Sequence, residues 1–394
     1  MRSRWLLAGA LLAAFLEACQ STEIGPLGAG ETRAPDELAL WDESKEWDER
    51  VSKSEARVDE PALQAYLEGV AGKVYAGMPG RTADEIRIHV MRTPFLNASA
   101  SPTGTVILHS GLLARLEDEA ELATLLGHEL AHFVSRHSLR EKRMRENALA
   151  KRRLAGGLLS IALMNPIFME IVGSEQSESL ERQLRGYSRE LEREADLAGF
   201  EAMRAAGYDV RRSVRLFEAV LIDDDGAKVP DPYYWADHPS MEERAAHYRE
   251  LISAASSSGG EVGSERYAAH VEKLIEANVR DDLGLARVRS SKAGVERLLA
   301  RPEPSAEAYF LLGDWHRLAG DASSPALAAE AYAKAARLDP KHAAAARANG
   351  LALRGLGQNA AAAAELSRAI ALDPEAADRP ILEAFVRELE APAP

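Results

Sequence analysis

Leu122-Ala123-Thr124-Leu125-Leu126-Gly127-His128-Glu129-Leu130-Ala131-His132-Phe133 is the stretch on which the fold turns. Leu122, Leu125, Leu126, Leu130, Ala131 and Phe133 recur at helical spacing, which predicts a helix running on from Glu117. Inside it, His128 to His132 has the H-E-x-x-H spacing. Residues i and i+4 share a helix face, so both imidazoles can reach one metal ion. Glu129 projects beside them, where a carboxylate can take a proton from a metal-activated water. Two solvated histidines on a helix surface would give the same five letters, so the pattern needs support from elsewhere in the chain.

That support is Arg189-Glu190-Leu191-Glu192-Arg193-Glu194-Ala195-Asp196-Leu197-Ala198-Gly199, which reads as a second helix. Leu191, Ala195, Ala198 and Ala202 form its core stripe at i, i+4, i+7 and i+11. Glu192, Asp196 and Gly199 lie on one line beside that stripe. Glu192 can complete a His₂Glu zinc site, Asp196 can hold a ligating histidine by its ring N–H, and Gly199 permits close helix approach. Spacing alone does not separate Glu192 from Glu190 or Glu194, which otherwise read as solvated charges. The longer motif H-E-x-x-H-x-x-G-x-x-H is excluded, because Ser135 and Ser138 stand where Gly and His are required. His137 falls one position short and reads as a surface or supporting histidine.

Beyond these helices, composition narrows the possibilities. A 394-residue chain with 46% hydrophobic and 28% charged residues is ordinary for two or three folded domains, which excludes wholesale disorder. A net charge of −14 argues against nucleic acid as a partner. The single cysteine, Cys19, excludes an internal disulfide and any cysteine-based zinc finger.

Arg2 and Arg4 precede an apolar run from Trp5 to Leu16, too short to span a bilayer. Leu16-Glu17-Ala18-Cys19 then resembles the lipobox of bacterial lipoproteins, with Glu17 departing from the usual small residue. That resemblance implies cleavage after residue 18, acylation of Cys19 and membrane attachment through the N-terminal lipid. With Gln20 after the cysteine, it further implies an outer-membrane lipoprotein facing the periplasm, or else a soluble periplasmic protein. Residues 19–60 read as a tether and leading segment, and 61–253 as the catalytic body. Residues 254–264, with Ser256-Ser257-Ser258-Gly259-Gly260, read as a linker.

Residues 265–394 read as a helical repeat domain. Leu338-Asp339-Pro340 recurs as Leu372-Asp373-Pro374, an offset of 34 residues that is the tetratricopeptide period. Tyr309, Gly313, Ala328, Tyr332, Ala335 and Pro340 fit one repeat, and Gly350, Ala362, Ala369 and Pro374 fit the next. The stretch from Tyr267 to Leu299 is expected to supply a degenerate third. Leu154 to Gly173 has the length of a membrane span, but Gly156-Gly157, Asn165, Pro166 and Glu170 interrupt it. It is expected to be a lid or plug near the cleft.

Residues from about Asn97 to Arg244 resemble the HtpX/CAAX-prenyl-protease family of gluzincin metallopeptidases, most of all its periplasmic BepA-like branch. The matching segments are Asn97-Ala98-Ser99-Ala100 with Gly104, Thr105 to Ser110, Gly111-Leu112-Leu113 and Glu119 to Leu122. His128 to His132, Tyr187-Ser188-Arg189, Glu192 to Asp196 and His238-Pro239 follow in order. The resemblance implies His128, His132 and Glu192 as ligands of one Zn²⁺ per chain, Glu129 as catalytic base and Asp196 as the group orienting a ligand. It further implies that His238 enters the metal's fourth position as a latch, or donates to the oxyanion. The strand Thr105–Ser110 is expected to be an edge for an extended substrate.

The expected fold is α+β and mainly helical, a zincin-type metallopeptidase domain followed by an all-α tetratricopeptide-like repeat domain. The expected function is zinc-dependent hydrolysis of unfolded or misassembled envelope proteins, with the repeats engaging envelope assembly machinery. A lipoprotein chaperone or assembly scaffold acting through the repeats is the alternative.

Overall fold

The computed structural model describes residues 21–26, 32–79, 86–163, 188–223, 241–255 and 259–391. They divide into two compact units. Described residues up to His109, Leu116–Glu218 and 241–267 make the first, and Ser110–Arg115, 219–223 and 268–391 make the second.

The first unit opens with α1 (Pro35–Ser52) and α2 (Pro61–Ala76), each with proline in its first turn, where a missing N–H costs nothing. A three-stranded sheet follows, made of β1 (Arg87–Met91), β2 (Ala98–Ala100) and β3 (Thr105–His109) in the order β1-β3-β2. β3 pairs in parallel with β1 and antiparallel with β2. The expectation that Thr105–Ser110 forms an edge is therefore corrected: β3 is central, Ser110 already begins a helix, and β2 is the edge that packs on the H-E-x-x-H helix. The run Thr105-Val106-Ile107-Leu108 is buried throughout, as expected for a strand paired on both sides and covered on both faces.

After α3 (Ser110–Arg115), which belongs to the second unit, the chain enters α4 (Glu119–Val134), the H-E-x-x-H helix. Asp118 caps it by accepting the Glu121 N–H at 2.9 Å, and Glu119 and Glu121 sit in the first turn, where the helix dipole favours anions. Every residue of α4 is buried, so the helix crosses the middle of the unit and its histidines are not surface groups. Next come α5 (His137–Leu163) and α6 (Arg189–Ala205), the latter capped by Ser188. A 3₁₀ turn at Val210–Arg212 leads into α7 (Ser213–Asp223), and α8 (Met241–Ala255) follows. α6 packs along α4, and Leu191, Ala195, Phe200, Ala202 and Met203 of α6 are buried.

Two segments read as connections are built into this unit. α1 is anchored by Asp48, which accepts from Thr105 Oγ1 at 2.8 Å and from Thr103 Oγ1. The described end of the predicted linker is bonded as well. Glu261 donates its N–H to Gly207 O at 2.8 Å, and Val262 O accepts from Ala120 N at 3.1 Å. At Gly260 a Cβ would lie 2.5 Å from the carbonyl carbon of Tyr208, so glycine here serves a close backbone contact.

The second unit is a succession of helices. α9 (Ser264–Gly284) leads into it and α10 (Val288–Leu299) follows. Two hairpins come next, α11 (Ala306–Ala319) with α12 (Ser324–Leu338) and α13 (Ala343–Gly355) with α14 (Asn359–Leu372), before α15 (Arg379–Glu390). Within each hairpin a glycine meets a large side chain: Gly313 abuts the Tyr332 ring and Gly350 abuts Leu366. α3 is held in this unit by a buried ion pair from Arg115 to Asp282 at 2.8 Å and by Arg297 donating to Ala114 O at 2.6 Å. Among the described residues, no helix is long and apolar enough to cross a membrane. Leu154–Leu163 continues α5, and the rest of the predicted lid, 164–173, lies outside the described residues.

Candidate metal centre

α4 and α6 touch backbone to backbone at Gly127 and Gly199. A Cβ on Gly199 would stand 2.7 Å from the carbonyl carbon of Gly127 and from His128 N. This approach carries Glu192, two turns back along α6, to the two histidines. His128 Nε2 lies 3.5 Å from Glu192 Oε2, His132 Nε2 lies 3.6 Å from Glu192 Oε1, and the two Nε2 atoms are 3.0 Å apart. One ligand atom from each of the three lies within 4.8 Å of the others, and all three side chains are buried. Glu190, by contrast, is exposed, and Glu194 is engaged by Arg140 Nη1 at 2.7 Å.

The far side of each ring is committed to the protein. His128 Nδ1 lies 2.9 Å from Asp196 Oδ1 and 2.8 Å from Arg244 Nη2, and the tautomer that donates its N–H to Asp196 leaves Nε2 as a lone pair. Arg244, on α8, donates to both Asp196 oxygens, Nη2 to Oδ1 at 2.6 Å and Nε to Oδ2 at 3.3 Å. Burial pushes the Asp196 carboxyl up, but the Arg244 charge and the His128 hydrogen bond outweigh it and hold the group well below the usual carboxylate range.

His132 is held by an imidazole. His137 Nδ1 lies 2.9 Å from His132 Nδ1, with the ring planes at 76°. Burial pushes His137 down to about 4, against the raising pull of Glu194, so near pH 7 its ring is neutral. It accepts the His132 N–H at Nδ1 and turns its own N–H, at Nε2, toward Glu194 Oε1 at 3.6 Å. Glu129 is buried on the same helix and makes no hydrogen bond or ion pair among the described residues.

The structure thus brings together His128, His132, Glu192 and Asp196, with Glu129 beside them on α4. Cys19 and His238 lie outside the described residues. Sequence reasoning missed Arg244 and underrated His137, which is fully buried. A signal for Arg244 was present: an arginine in the first turns of α8 opposes the helix dipole, which is tolerated where a buried carboxylate claims it. Three buried donors of this kind, two imidazole nitrogens and a carboxylate oxygen, fit one tetrahedral metal ion with an open position.

An H-E-x-x-H helix whose third ligand candidate is a glutamate on a following helix defines the gluzincin class of metallopeptidases. In agreement, residues 58–252 match the family model of Peptidase family M48, and the chain carries a domain of that family. It is 24% identical over 200 residues to the beta-barrel assembly-enhancing protease of Escherichia coli K12, covering 49% of this chain and 39% of that protein. It is 33% identical over 188 residues to the bovine mitochondrial metalloendopeptidase OMA1, covering 45% and 34%. To metalloprotease YcaL of Escherichia coli it is 29% identical over 170 residues, covering 43% and 63%. The match spans less than two thirds of the length of each of these relatives.

Proposed function

We propose that this chain is a zinc-dependent endopeptidase that hydrolyses unfolded or misassembled envelope proteins. The observation that carries this reading is the convergence of His128, His132 and Glu192 from two helices locked together at Gly127 and Gly199. Zinc held there supplies a Lewis acid and lowers the pKa of a water to about 7. His128 and His132 present Nε2 because Asp196 and His137 hold their Nδ1 atoms. Glu129 takes the water's proton and hands it to the leaving amine. An extended client adds to the edge strand β2, which packs on α4, and so runs past the site with its backbone recognised and its side chains largely unread. That mode suits clients defined by being unfolded. The names of the β-barrel assembly-enhancing and OMA1 relatives support proteolysis, and the first supports an envelope setting. Acylated Cys19 is the anchor in this proposal, holding the enzyme at the periplasmic face of the outer membrane.

The test is zinc content and cleavage of casein or an unfolded porin by the wild type and by Glu129→Gln. One zinc per chain in both, with cleavage down about 10²- to 10⁴-fold in the variant, is expected. Equal cleavage rules the mechanism out.

A second reading rests on a groove of about 800 Å³ in the second unit, lined among others by Phe310, Arg317, Tyr332, Arg347 and Leu351. It suits partner binding by tetratricopeptide-like repeats, as in a scaffold or chaperone engaging assembly machinery. Suppression of client aggregation at wild-type level by Glu129→Gln favours this activity alongside proteolysis.

A further inference from the structure

The turn between α4 and α5 consists of Ser135 and Arg136, and Arg136 is in the left-handed region at φ 55°. A glycine ordinarily fills such a place at a helix end, because a Cβ there meets the following carbonyl. Here Arg136 sits four residues after His132 and immediately before His137, and the geometry of the turn decides where the His137 ring falls. With Arg136 left-handed, α5 restarts at once: Leu139 N and Arg140 N both donate to Arg136 O at 3.1 Å. His137 is thereby turned back onto His132.

The Arg136 side chain shows why an arginine occupies this position. Its guanidinium reaches Glu37 on α1, Nε to Oε1 at 2.8 Å and Nη2 to Oε2, a two-pronged pair largely removed from water. Arg143, two turns along α5, repeats the arrangement with Asp36, at 2.6 and 2.8 Å. Glu37, Trp41, His132, Phe133 and Arg136 also line one cavity of about 30 Å³, room for a single water. The leading segment therefore abuts the back of a metal-ligand candidate.

We infer that Glu37 is a positioning residue for the metal centre: by pairing with Arg136 it holds the left-handed turn that places His137 on His132 Nδ1. This rests on the metallopeptidase reading and gives α1, in the segment read as a tether, a part in metal binding.

The experiment is zinc affinity of the full chain, by competition with a chromophoric chelator, together with the thermal midpoint of the metal-free protein. Glu37→Gln and Arg136→Ala should each weaken zinc binding about tenfold, in the range of outer contacts that orient metal ligands. Arg136→Gly, which loses the ion pair but adopts the turn without strain, should bind zinc within about threefold of wild type, and so should Glu37→Gln/Arg136→Gly. Wild-type zinc affinity in Glu37→Gln, even with a lowered thermal midpoint, would make the pair merely structural and overturn the inference. So would Arg136→Gly binding as weakly as Arg136→Ala. A wild-type chain that takes up no zinc overturns the metallopeptidase reading, and this inference with it.

Discussion

The two ends of α4 are equally buried and polar, yet they solve the problem of buried charge differently. At the start of the helix, acids meet cations within the protein. Arg212 binds Asp118 at 2.5 Å and Glu121 at 2.9 Å, and Arg215 binds Glu117. Glu119 accepts from Tyr208 at 2.7 Å, from Tyr66 at 3.0 Å and from two nitrogens of Arg266 at 3.0 Å each. At the other end, His128, His132 and Glu192 turn two nitrogen lone pairs and a carboxylate toward one point. The first arrangement is complete in itself and holds the fold. The second gathers the donor set proposed above to hold zinc. The two ends of one helix therefore differ in arrangement: acids paired with arginines and tyrosines at one, and two histidines gathered with a glutamate of α6 at the other.

Substitutions should separate the two ends, and the largest effect is expected at Asp196. Asp196→Ala removes the partner of buried Arg244 and the acceptor for His128 Nδ1. Leaving one member of such a pair costs about 3–5 kcal/mol, and loss of the outer contact weakens metal binding by roughly 10- to 100-fold. Urea unfolding and zinc competition on the same protein measure both. If stability falls and zinc affinity does not, the metal end depends on its supports no more than the other end does.

Gly199→Ala is expected to come next. Its Cβ would meet the backbone of α4, at Gly127 and His128, which cannot swing aside as a side chain would. Overpacking of this kind costs about 1–3 kcal/mol, and here it also displaces Glu192 from the histidines. The thermal midpoint should drop in both the metal-free and zinc-loaded protein, by more in the latter. An equal drop in both would mean that the helix contact does not set the ligand geometry.

The contrast also marks what was legible in the sequence. His128 and His132, and likewise Asp196 and Gly199, could be put on shared helix faces because periodicity within one helix is recorded directly in sequence. Whether Glu192 or a neighbouring acid turns inward required the second helix to be in place. Arg244 and Glu37 act across elements far apart in sequence, where no local period exists, and His137 meets His132 across the turn at Arg136 rather than within one helix. The edge strand was misplaced because Thr105–His109 is the most fully buried of the three strands, and a continuous apolar run marks the centre of a sheet. The true edge, Ala98–Ala100, is three residues long and too short to show alternation. Gly259-Gly260 suggested a flexible joint, but the missing Cβ of Gly260 serves contact with Tyr208 and Asp209. A truncation after Ser253 consequently removes Val262 and Arg266 from the start of α4, and a cut meant to spare the catalytic body should fall beyond Tyr267.

The smallest effect is expected from Glu119→Gln, which probes the structural end alone. Burial raises the Glu119 carboxyl, but hydrogen bonds from Arg266, Tyr208 and Tyr66 outweigh it and leave the group below its ordinary 4.5. A carboxyl lowered in the folded protein contributes stability that is fully present above the unfolded value and is lost as pH falls through the folded one. The variant should thus be less stable than wild type by about 1–3 kcal/mol at pH 7, the cost of weakening hydrogen bonds to a charged group. The gap should close as pH drops below 4.5, where the wild-type carboxyl takes up its proton. Glu121, pushed up to about 7 by burial and by Asp118, titrates in both proteins and cancels in the difference. Urea unfolding of the metal-free proteins from pH 3 to 7 follows the gap directly, and zinc affinity at pH 7 should stay at the wild-type value. A gap that persists at pH 3 would assign the cost to packing. Weakened zinc binding would show that the charge network at the start of α4 reaches the metal end, and the separation between the two would not hold.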